Sequence, residues 1–191
     1  MNPPEIAAAF AVAVLVGVAA SIVLASYNAV VALRQRSDKA WSNIDVVLKQ
    51  RHDQLPNLVG AVRGVMSYER DVLTRVTEAR AAYSPTAPIP DQAATSDETT
   101  AAVRTLFAVV ERYPEVKAAG NVQDLQDEIE RIEGMIAARR ELYNDQVYRY
   151  NTRIGQVPGA LMAPVFGWRE REFFEAEPAD AHRPDTDPGT A

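Results

Sequence analysis

The sequence has no cysteine among its 191 residues and only two histidines. Without cysteine there is no disulfide framework, no thiolate zinc site and no cysteine nucleophile, and the redox compartment cannot be inferred from thiols. His52 and His182 lie far apart in the sequence, which argues against a histidine-rich metal site. A cationic surplus is also missing, since 20 basic side chains stand against 26 acidic ones for a net charge of -6. Because non-specific nucleic-acid binding needs a cationic surface, we expect no nucleic-acid partner.

Catalytic motifs are also missing from the sequence. Ser42, Ser67 and Ser84 have no plausible histidine arrangement, no glycine-rich loop could cradle a phosphate, and HExxH is absent. We therefore expect a protein without enzymatic activity, cofactor or bound metal.

One long hydrophobic run is present near the N-terminus. Residues 6–25 read IAAAFAVAVLVGVAASIVLA and contain no charge. About 20 helical residues reach roughly 30 Å, the thickness of a bilayer's hydrocarbon core. We predict a transmembrane helix over residues 6–26 after a short extramembrane N-terminus, residues 1–5. The alternative is a cleaved signal peptide ending near Val23-Leu24-Ala25, but the preceding MNPPE lacks the basic residues of such a peptide.

The charges on the two sides of the span differ. No lysine or arginine precedes it, whereas several follow it closely: Arg34, Arg36, Lys39, Lys49 and Arg51. The positive-inside tendency therefore predicts a single-pass protein of the cell membrane, with its N-terminus outside and the rest of the chain in the cytoplasm.

A coiled-coil-like heptad pattern follows the span. It predicts one helix running from the membrane to about Ala82, with a kink near His52 caused by Pro56. Only Arg51 and Glu69 interrupt the apolar positions with charge. The pattern comprises Trp41, Ile44, Leu48, Arg51, Leu55, Leu58, Val62, Val65, Glu69, Val72, Val76 and Ala79.

A second heptad pattern predicts a helix from about Asn121 to Ile154 and is interrupted by Arg139. It comprises Val122, Leu125, Ile129, Ile132, Ile136, Arg139, Tyr143 and Tyr150, with Val147 and Ile154 alongside. A proline-rich linker is expected at residues 84–96, followed by a helix that Ser96 and Asp97 would cap. Residues 161–174 are expected to form a short amphipathic segment, and residues 175–191 a disordered tail. We therefore predict an all-α fold, with the transmembrane helix followed by an elongated antiparallel, up-and-down helical bundle over residues 27–174.

Several short motifs run through the chain after the span: Tyr27-Asn28, AWSNIDVVLKQR (40–51), DQLPNLV (53–59), Ala79-Arg80, Tyr113-Pro114, Glu133, Arg140, Tyr143-Asn144, Tyr150-Asn151 and Phe166-Gly167. In this combination they resemble the LemA family of membrane-anchored helical proteins, over nearly the whole chain except the tail. The resemblance implies a mostly helical domain, no established enzymatic activity and no catalytic residues to carry over. It also implies links to membrane proteases, envelope stress or magnetosome formation.

Arg51, Glu69 and Arg139 each occupy a position where the heptad calls for an apolar side chain. One interpretation is a charged groove for a partner helix or peptide; the other is an internal ion pair that fixes helix register. Arg51 and Glu69 are 18 residues apart, roughly 27 Å along one helix, so they cannot pair with each other. Our hypothesis is that Arg139 pairs with Glu69 across an antiparallel packing.

Asp45, Lys49, Asp53 and Asn57 form a row at four-residue spacing. A solvated salt-bridge row is the simpler interpretation. A carboxylate metal site is the alternative, but Lys49 between the two acids argues against it.

The Tyr-Asn pairs at Tyr143-Asn144 and Tyr150-Asn151 are seven residues apart and share one helix face. We expect buried tyrosines whose hydroxyls reach a partner. Tyr27, where the chain leaves the membrane, fits the interfacial aromatic belt.

These features predict a non-enzymatic, membrane-tethered helical scaffold or adaptor. It would bind lipid through residues 6–26 and contact another membrane protein, such as a membrane protease in quality control or envelope stress, because tethering raises its local concentration near such partners. The alternative is a self-associating structural protein that organises membrane regions.

Overall fold

A computed structural model of the protein describes residues 2–63, 69–117 and 120–175. Over these residues the chain forms α-helices and no strand, which confirms the all-α prediction. The helices are α1 (Pro3–Arg63), α2 (Arg70–Ala81), α3 (Ile89–Val110), α4 (Pro114–Lys117), α5 (Gly120–Gly155) and α6 (Gly159–Phe166). The chain divides into two compact units: unit 1 is Met1–Ser42 with Glu141–Arg171, and unit 2 is Asn43–Arg140 with Glu172–Ala191.

Helix α1 begins with an N-terminal cap. Pro3 opens the helix, where its missing N–H costs no intrahelical hydrogen bond. The Glu5 carboxylate reaches back to accept a hydrogen bond from the Asn2 backbone N–H at 3.0 Å, as in a capping box. The helix then continues through the whole apolar run.

The apolar run lies exposed on α1. An 18-residue window of this helix has a mean hydropathy of 2.7, and none of that window is buried. Its length and composition are sufficient to cross a bilayer. Among the described residues, therefore, no other part of the protein covers this apolar segment of α1.

Unit 1 combines the first part of α1, the last part of α5 and α6. Its buried cluster is formed by Val30, Tyr150 and Ile154, with Leu33, Ala163 and Trp168 packed against them. Farther along α1, the Trp41 ring lies 5.5 Å from the Tyr143 ring. The same helix that carries the apolar run is therefore held by packing against α5.

Unit 2 has its own core, to which α1, α2, α3, α4 and α5 contribute. On α1, α2 and α5 most of the core residues lie at predicted heptad positions, because side chains spaced by three and four residues share one helix face. The core residues of α3 and α4 lie outside the two heptad patterns. The core residues of unit 2 that are fully or almost fully buried include Leu55, Leu58, Val62, Val76, Val103, Leu106, Val110, Val116, Val122 and Ile129.

The predicted continuous helix to about Ala82 is wrong. Helix α1 ends at Arg63 and α2 begins at Arg70. Glu69 precedes α2 with φ -95° and ψ 43°, which lies outside the helical region. The heptad pattern missed this boundary because Val72 and Val76 continue its spacing after Glu69. Val65, the heptad position between Val62 and Glu69, lies outside the described residues.

The predicted linker at residues 84–96 is too long. Helix α3 already begins at Ile89, and Ser96 lies inside it rather than at its cap. Pro90 is tolerated because the first turn of a helix needs no backbone N–H donors. The first buried positions of α3 are Gln92, Ala93, Ser96 and Thr99, a face too polar to show an apolar period in the sequence.

The second long helix matches its prediction closely, since α5 runs from Gly120 to Gly155. The segment predicted at 161–174 is helical only as far as Phe166 in α6. Gly167 ends α6 with φ 65°, a left-handed conformation that glycine adopts without strain. The predicted disordered tail lies outside the described residues from 176 onward.

Candidate functional site

Arg51 is the centre of a buried polar cluster in unit 2. Its side chain projects from α1 and the residue is only 4% exposed. One terminal nitrogen, Nη1, donates to the Glu133 carboxylate on α5 at 2.8 Å and to the Thr100 hydroxyl on α3 at 3.0 Å. The other, Nη2, donates to the Ser96 hydroxyl at 2.9 Å. The guanidinium therefore connects three helices.

The Glu133 carboxylate completes this cluster. Its second oxygen accepts a hydrogen bond from the Thr100 hydroxyl at 2.6 Å, so both carboxylate oxygens have partners. Burying a charge is costly unless it is paired and hydrogen-bonded, and here each charged group has both kinds of contact. The geometry agrees with an internal ion pair that fixes the register of α1, α3 and α5 in unit 2.

The hypothesis that Arg139 pairs with Glu69 is wrong. The Arg139 Nη1 donates instead to the Asn43 backbone carbonyl at 2.7 Å. Glu69 accepts from the Tyr113 hydroxyl at 3.2 Å and has Arg112 at 3.8 Å. Helical spacing could not predict that Glu69, the residue before α2, lies next to Arg112 and Tyr113 at the end of α3.

Arg80 fills a hydrogen-bond position that Pro56 leaves open. A helical carbonyl accepts from the N–H four residues later, and Pro56 has no N–H to give to the His52 carbonyl. The Arg80 Nε on α2 donates to that carbonyl at 3.0 Å. A buried carbonyl without a partner would be costly, so this contact connects α2 to the proline position of α1.

We expect Arg80→Met to lower the free energy of unfolding by about 1–3 kcal/mol, because it leaves the His52 carbonyl without a donor. In a Pro56→Ala background the backbone gains an N–H that can bond the same carbonyl, so Arg80→Met should then cost less than half as much. Chemical denaturation of the full chain in detergent micelles measures both costs. Equal costs in the two backgrounds would show that Arg80 does not act through this carbonyl.

The row at Asp45, Lys49, Asp53 and Asn57 is mostly solvated. Lys49 forms the expected i,i+4 ion pair with Asp45 at 2.7 Å. Asn57 donates a hydrogen bond to Gln54 within its own helix turn, at 3.0 Å. In the part of the chain that the structure describes, no three His, Cys, Asp or Glu side chains are placed to hold a metal ion.

Asp45 also contacts Tyr83, which follows α2. The Tyr83 hydroxyl donates to Asp45 at 3.4 Å, and its ring lies 5.1 Å from the His52 ring. Burial, followed by the nearby Asp45 carboxylate, raises the pKa of Tyr83 to about 12. Tyr83 therefore stays a neutral donor at any physiological pH.

We expect Asp45→Asn to lower the pKa of Tyr83 toward 10, and Asp53→Asn to lower it less, since Asp53 contributes a smaller charge effect. Because the folded pKa lies above the unfolded one, Tyr83 stabilises the fold below pH 10, and this contribution is lost as the pH rises to about 12. NMR titration of ¹³C-tyrosine in the full chain, assigned with Tyr83→Phe, measures the shift. A Tyr83 pKa unchanged by Asp45→Asn would contradict the assignment.

The two Tyr-Asn pairs lie on the part of α5 that belongs to unit 1, whereas the Arg51 cluster belongs to unit 2. Tyr143 and Tyr150 are buried, at 1% and 3% exposure. The Asn151 side chain forms two hydrogen bonds of 2.9 Å with the backbone of Arg171, one to its carbonyl and one from its N–H. Asn151 therefore fixes the segment after α6 to α5. Asn144 also takes part in an interaction within the protein.

Arg171 extends this arrangement. Its guanidinium lies 5.6 Å from the centre of the Tyr150 ring and pairs with Asp38 on α1. A cation over an aromatic face is attracted to it. Arg171 therefore connects the segment after α6 to both long helices of unit 1.

The sequence did not predict most of these partners. Ser96 was hidden because it was expected at a helix cap, and Thr100 because it lies in a stretch without an apolar period. The vacant His52 carbonyl could have been found, since a proline inside a helix leaves the carbonyl four residues earlier without its donor. The sequence does not show, however, that Arg80 supplies the replacement. Glu133 stood among the motifs of the family resemblance, but its sequence position did not show that it faces Arg51.

The fold defines a class: a helical-bundle protein whose N-terminal helix is long and apolar enough to span a membrane. A family model described as LemA family matches residues 40–187, more than half of the chain. The chain therefore belongs to the LemA family, and the resemblance seen in its motifs is confirmed.

The chain is also similar to magnetosome proteins. It is 34% identical over 74 residues to the magnetosome proteins MamQ 1 and MamQ 2 of Paramagnetospirillum magneticum. It is 32% identical over 74 residues to the magnetosome protein MamQ of Magnetospirillum gryphiswaldense. Each match covers 39% of this chain and 27% of the relative. The chain thus spans about a quarter of the length of these curated relatives.

Proposed function

We propose that the protein is a non-enzymatic scaffold or adaptor, anchored in the membrane by residues 6–26 of α1. The observation that carries this proposal is the continuity of α1 within unit 1. One helix carries an exposed apolar run and then, from Val30 onward, the packing surface that α5 covers. Because the anchor and the packed segment belong to one helix, no flexible linker separates the proposed anchor from the rest of unit 1.

A non-enzymatic role is supported by how the polar side chains are used. The donors of Arg51, the amide of Asn151 and the Nε of Arg80 are all directed to groups of the protein itself. A catalytic site needs polar groups directed toward a substrate. We infer that these side chains hold the helices in place.

The partner that we propose is another membrane protein, and the resemblance suggests a membrane protease in quality control or envelope stress as a candidate. Confinement to the membrane raises the local concentration of the domain toward such a partner. The second candidate function is a self-associating structural protein that organises membrane regions. The likeness to proteins named as magnetosome proteins is the observation that leads us to keep this second candidate.

Photo-crosslinking in native membranes separates the two functions. A photoreactive amino acid replaces Val46 or Leu142, two apolar side chains that are 57% and 62% exposed. The adaptor proposal expects one recurrent foreign membrane protein in the mass spectra of crosslinked products. Crosslinks only between copies of this chain would overturn it in favour of self-association.

A further inference from the structure

Helix α6 exposes an apolar face that the domain does not use. The helix, GALMAPVF, contains no charged residue. Leu161 and Val165 are 72% and 77% exposed, and Val157 just before the helix is 74% exposed. With Phe166, which is 47% exposed, residues 157–166 thus carry four exposed large apolar side chains outside the predicted span. Soluble surfaces rarely carry such a patch without a partner.

The other side of α6 is fixed to the domain. Gly159 and Met162 are buried, and Ala163 packs against the Val30, Tyr150 and Ile154 cluster. A side chain at Gly159 would collide with the Arg153 backbone carbonyl, so glycine is required for this close approach to α5. The exposed face is thus held in place and is not the result of a loosely attached segment.

The aromatic contacts place α6 beside the end of the apolar run. Tyr27, the first residue after the predicted span, lies 5.0 Å from Phe166 and 5.8 Å from Trp168, measured between ring centres. Phe166 and Trp168 in turn stack at 5.2 Å. Tyrosine and tryptophan are typical of the membrane-water interface. All these residues belong to unit 1.

We propose that α6 is a second membrane contact. Its exposed face, formed by Val157, Leu161, Val165 and Phe166, enters the boundary between lipid headgroups and acyl chains of the bilayer that α1 spans, as interfacial helices do. The inference rests on the proposed membrane anchoring by α1. Lipid is the occupant because Phe166 of this face contacts Tyr27, the residue that directly follows the predicted span. Together, α1 and α6 would set the orientation of the domain relative to the membrane.

Tryptophan fluorescence in vesicles tests this contact. The chain has only two tryptophans, so Trp41→Phe combined with Trp168→Phe removes all native tryptophan fluorescence. In this background, Leu161→Trp reports on α6. The full chain is reconstituted in phosphatidylcholine vesicles with or without brominated acyl chains, which quench nearby tryptophan. We expect roughly twofold quenching, since interfacial helices lie only about 5–10 Å deep. Val165→Trp repeats the test on the same face.

Leu142→Trp in the same background is the matched control. Leu142 is also apolar and exposed, at 62%. It lies on α5 next to Tyr143, which packs against Trp41. Trp41 is 14 residues after Tyr27 on α1, which places it about 20 Å along the helix from the end of the predicted span. Leu142 lies at this level, so we expect little quenching of Leu142→Trp.

Each other outcome overturns the proposal in a recognisable way. If the chain floats with the vesicles and neither Leu161→Trp nor Val165→Trp is quenched, α6 does not touch lipid although α1 is anchored. If both tryptophans are blue-shifted but unquenched, and the shift disappears when excess lipid separates the copies, a second copy covers the face. If the chain does not float with the vesicles, membrane anchoring itself fails, and the α6 contact fails with it.

Discussion

Glu133→Ala is expected to destabilise the protein by about 3 kcal/mol, because it leaves the buried Arg51 guanidinium without its counter-charge. Arg51 is 4% exposed, and its other partners, Ser96 and Thr100, are neutral hydroxyls. Breaking a buried pair by removing one member is costly, since the remaining charge cannot return to water without opening the core. Denaturant unfolding of the full chain in micelles, followed by circular dichroism, measures the change.

Two further variants make this test specific. Glu128→Ala removes a carboxylate from the same helix whose charged partner, Arg131, is exposed and whose other partner is the neutral Gln50 amide at 2.9 Å. We expect it to cost about 1 kcal/mol, since surface ion pairs and single neutral hydrogen bonds contribute little. Arg51→Met combined with Glu133→Leu removes both charges, and should recover most of the stability lost in Glu133→Ala. A Glu133→Ala variant as stable as Glu128→Ala would show that the Arg51 cluster does not hold the helices together.

A cysteine at Gly134 is expected to be fully protected from membrane-impermeant thiol reagents in sealed right-side-out vesicles. The arginines and lysines after the apolar run predict, by the positive-inside tendency, that the domain lies on the cytoplasmic side. The chain contains no cysteine, so Gly134→Cys gives a single label. The position is exposed on α5, and an added Cβ there meets no atom within 4 Å, so the fold should tolerate it.

Asn2→Cys is the control for the opposite side of the membrane. Asn2 is exposed and precedes α1, so its thiol should react readily in the same vesicles. Detergent should make Gly134→Cys react as well, which shows that the thiol itself is reactive. Labelling of Gly134→Cys before detergent, with Asn2→Cys protected, would reverse the orientation.

The sequence predicted the two long helices because their buried faces are apolar and regularly spaced. Ile44, Leu48 and Leu55 on α1, and Ile129 and Ile132 on α5, are all buried at the expected positions. A face of this kind needs only the helical period to be recognised.

Prediction from the sequence failed where the structure depends on polar contacts between helices that are distant in the chain. The start of α3 was missed because Gln92, Ser96 and Thr99 form its buried face, and these residues look like a loop without knowledge of Arg51. The break before α2 was missed because Glu69 occupies a heptad position and yet bonds Tyr113. Only the folded chain brings these partners together.

Alkaline carbonate extraction of native membranes, followed by mass spectrometry of the retained chain, tests the central claim most directly. If α1 anchors the domain, the full chain stays in the membrane pellet with residues 6–26 intact, and a variant lacking residues 2–26 appears in the supernatant. A span of about 20 apolar residues resists extraction because its helix is solvated by lipid on every side. Release of the full chain by carbonate, or a pelleted chain without residues 6–26, would contradict the anchor.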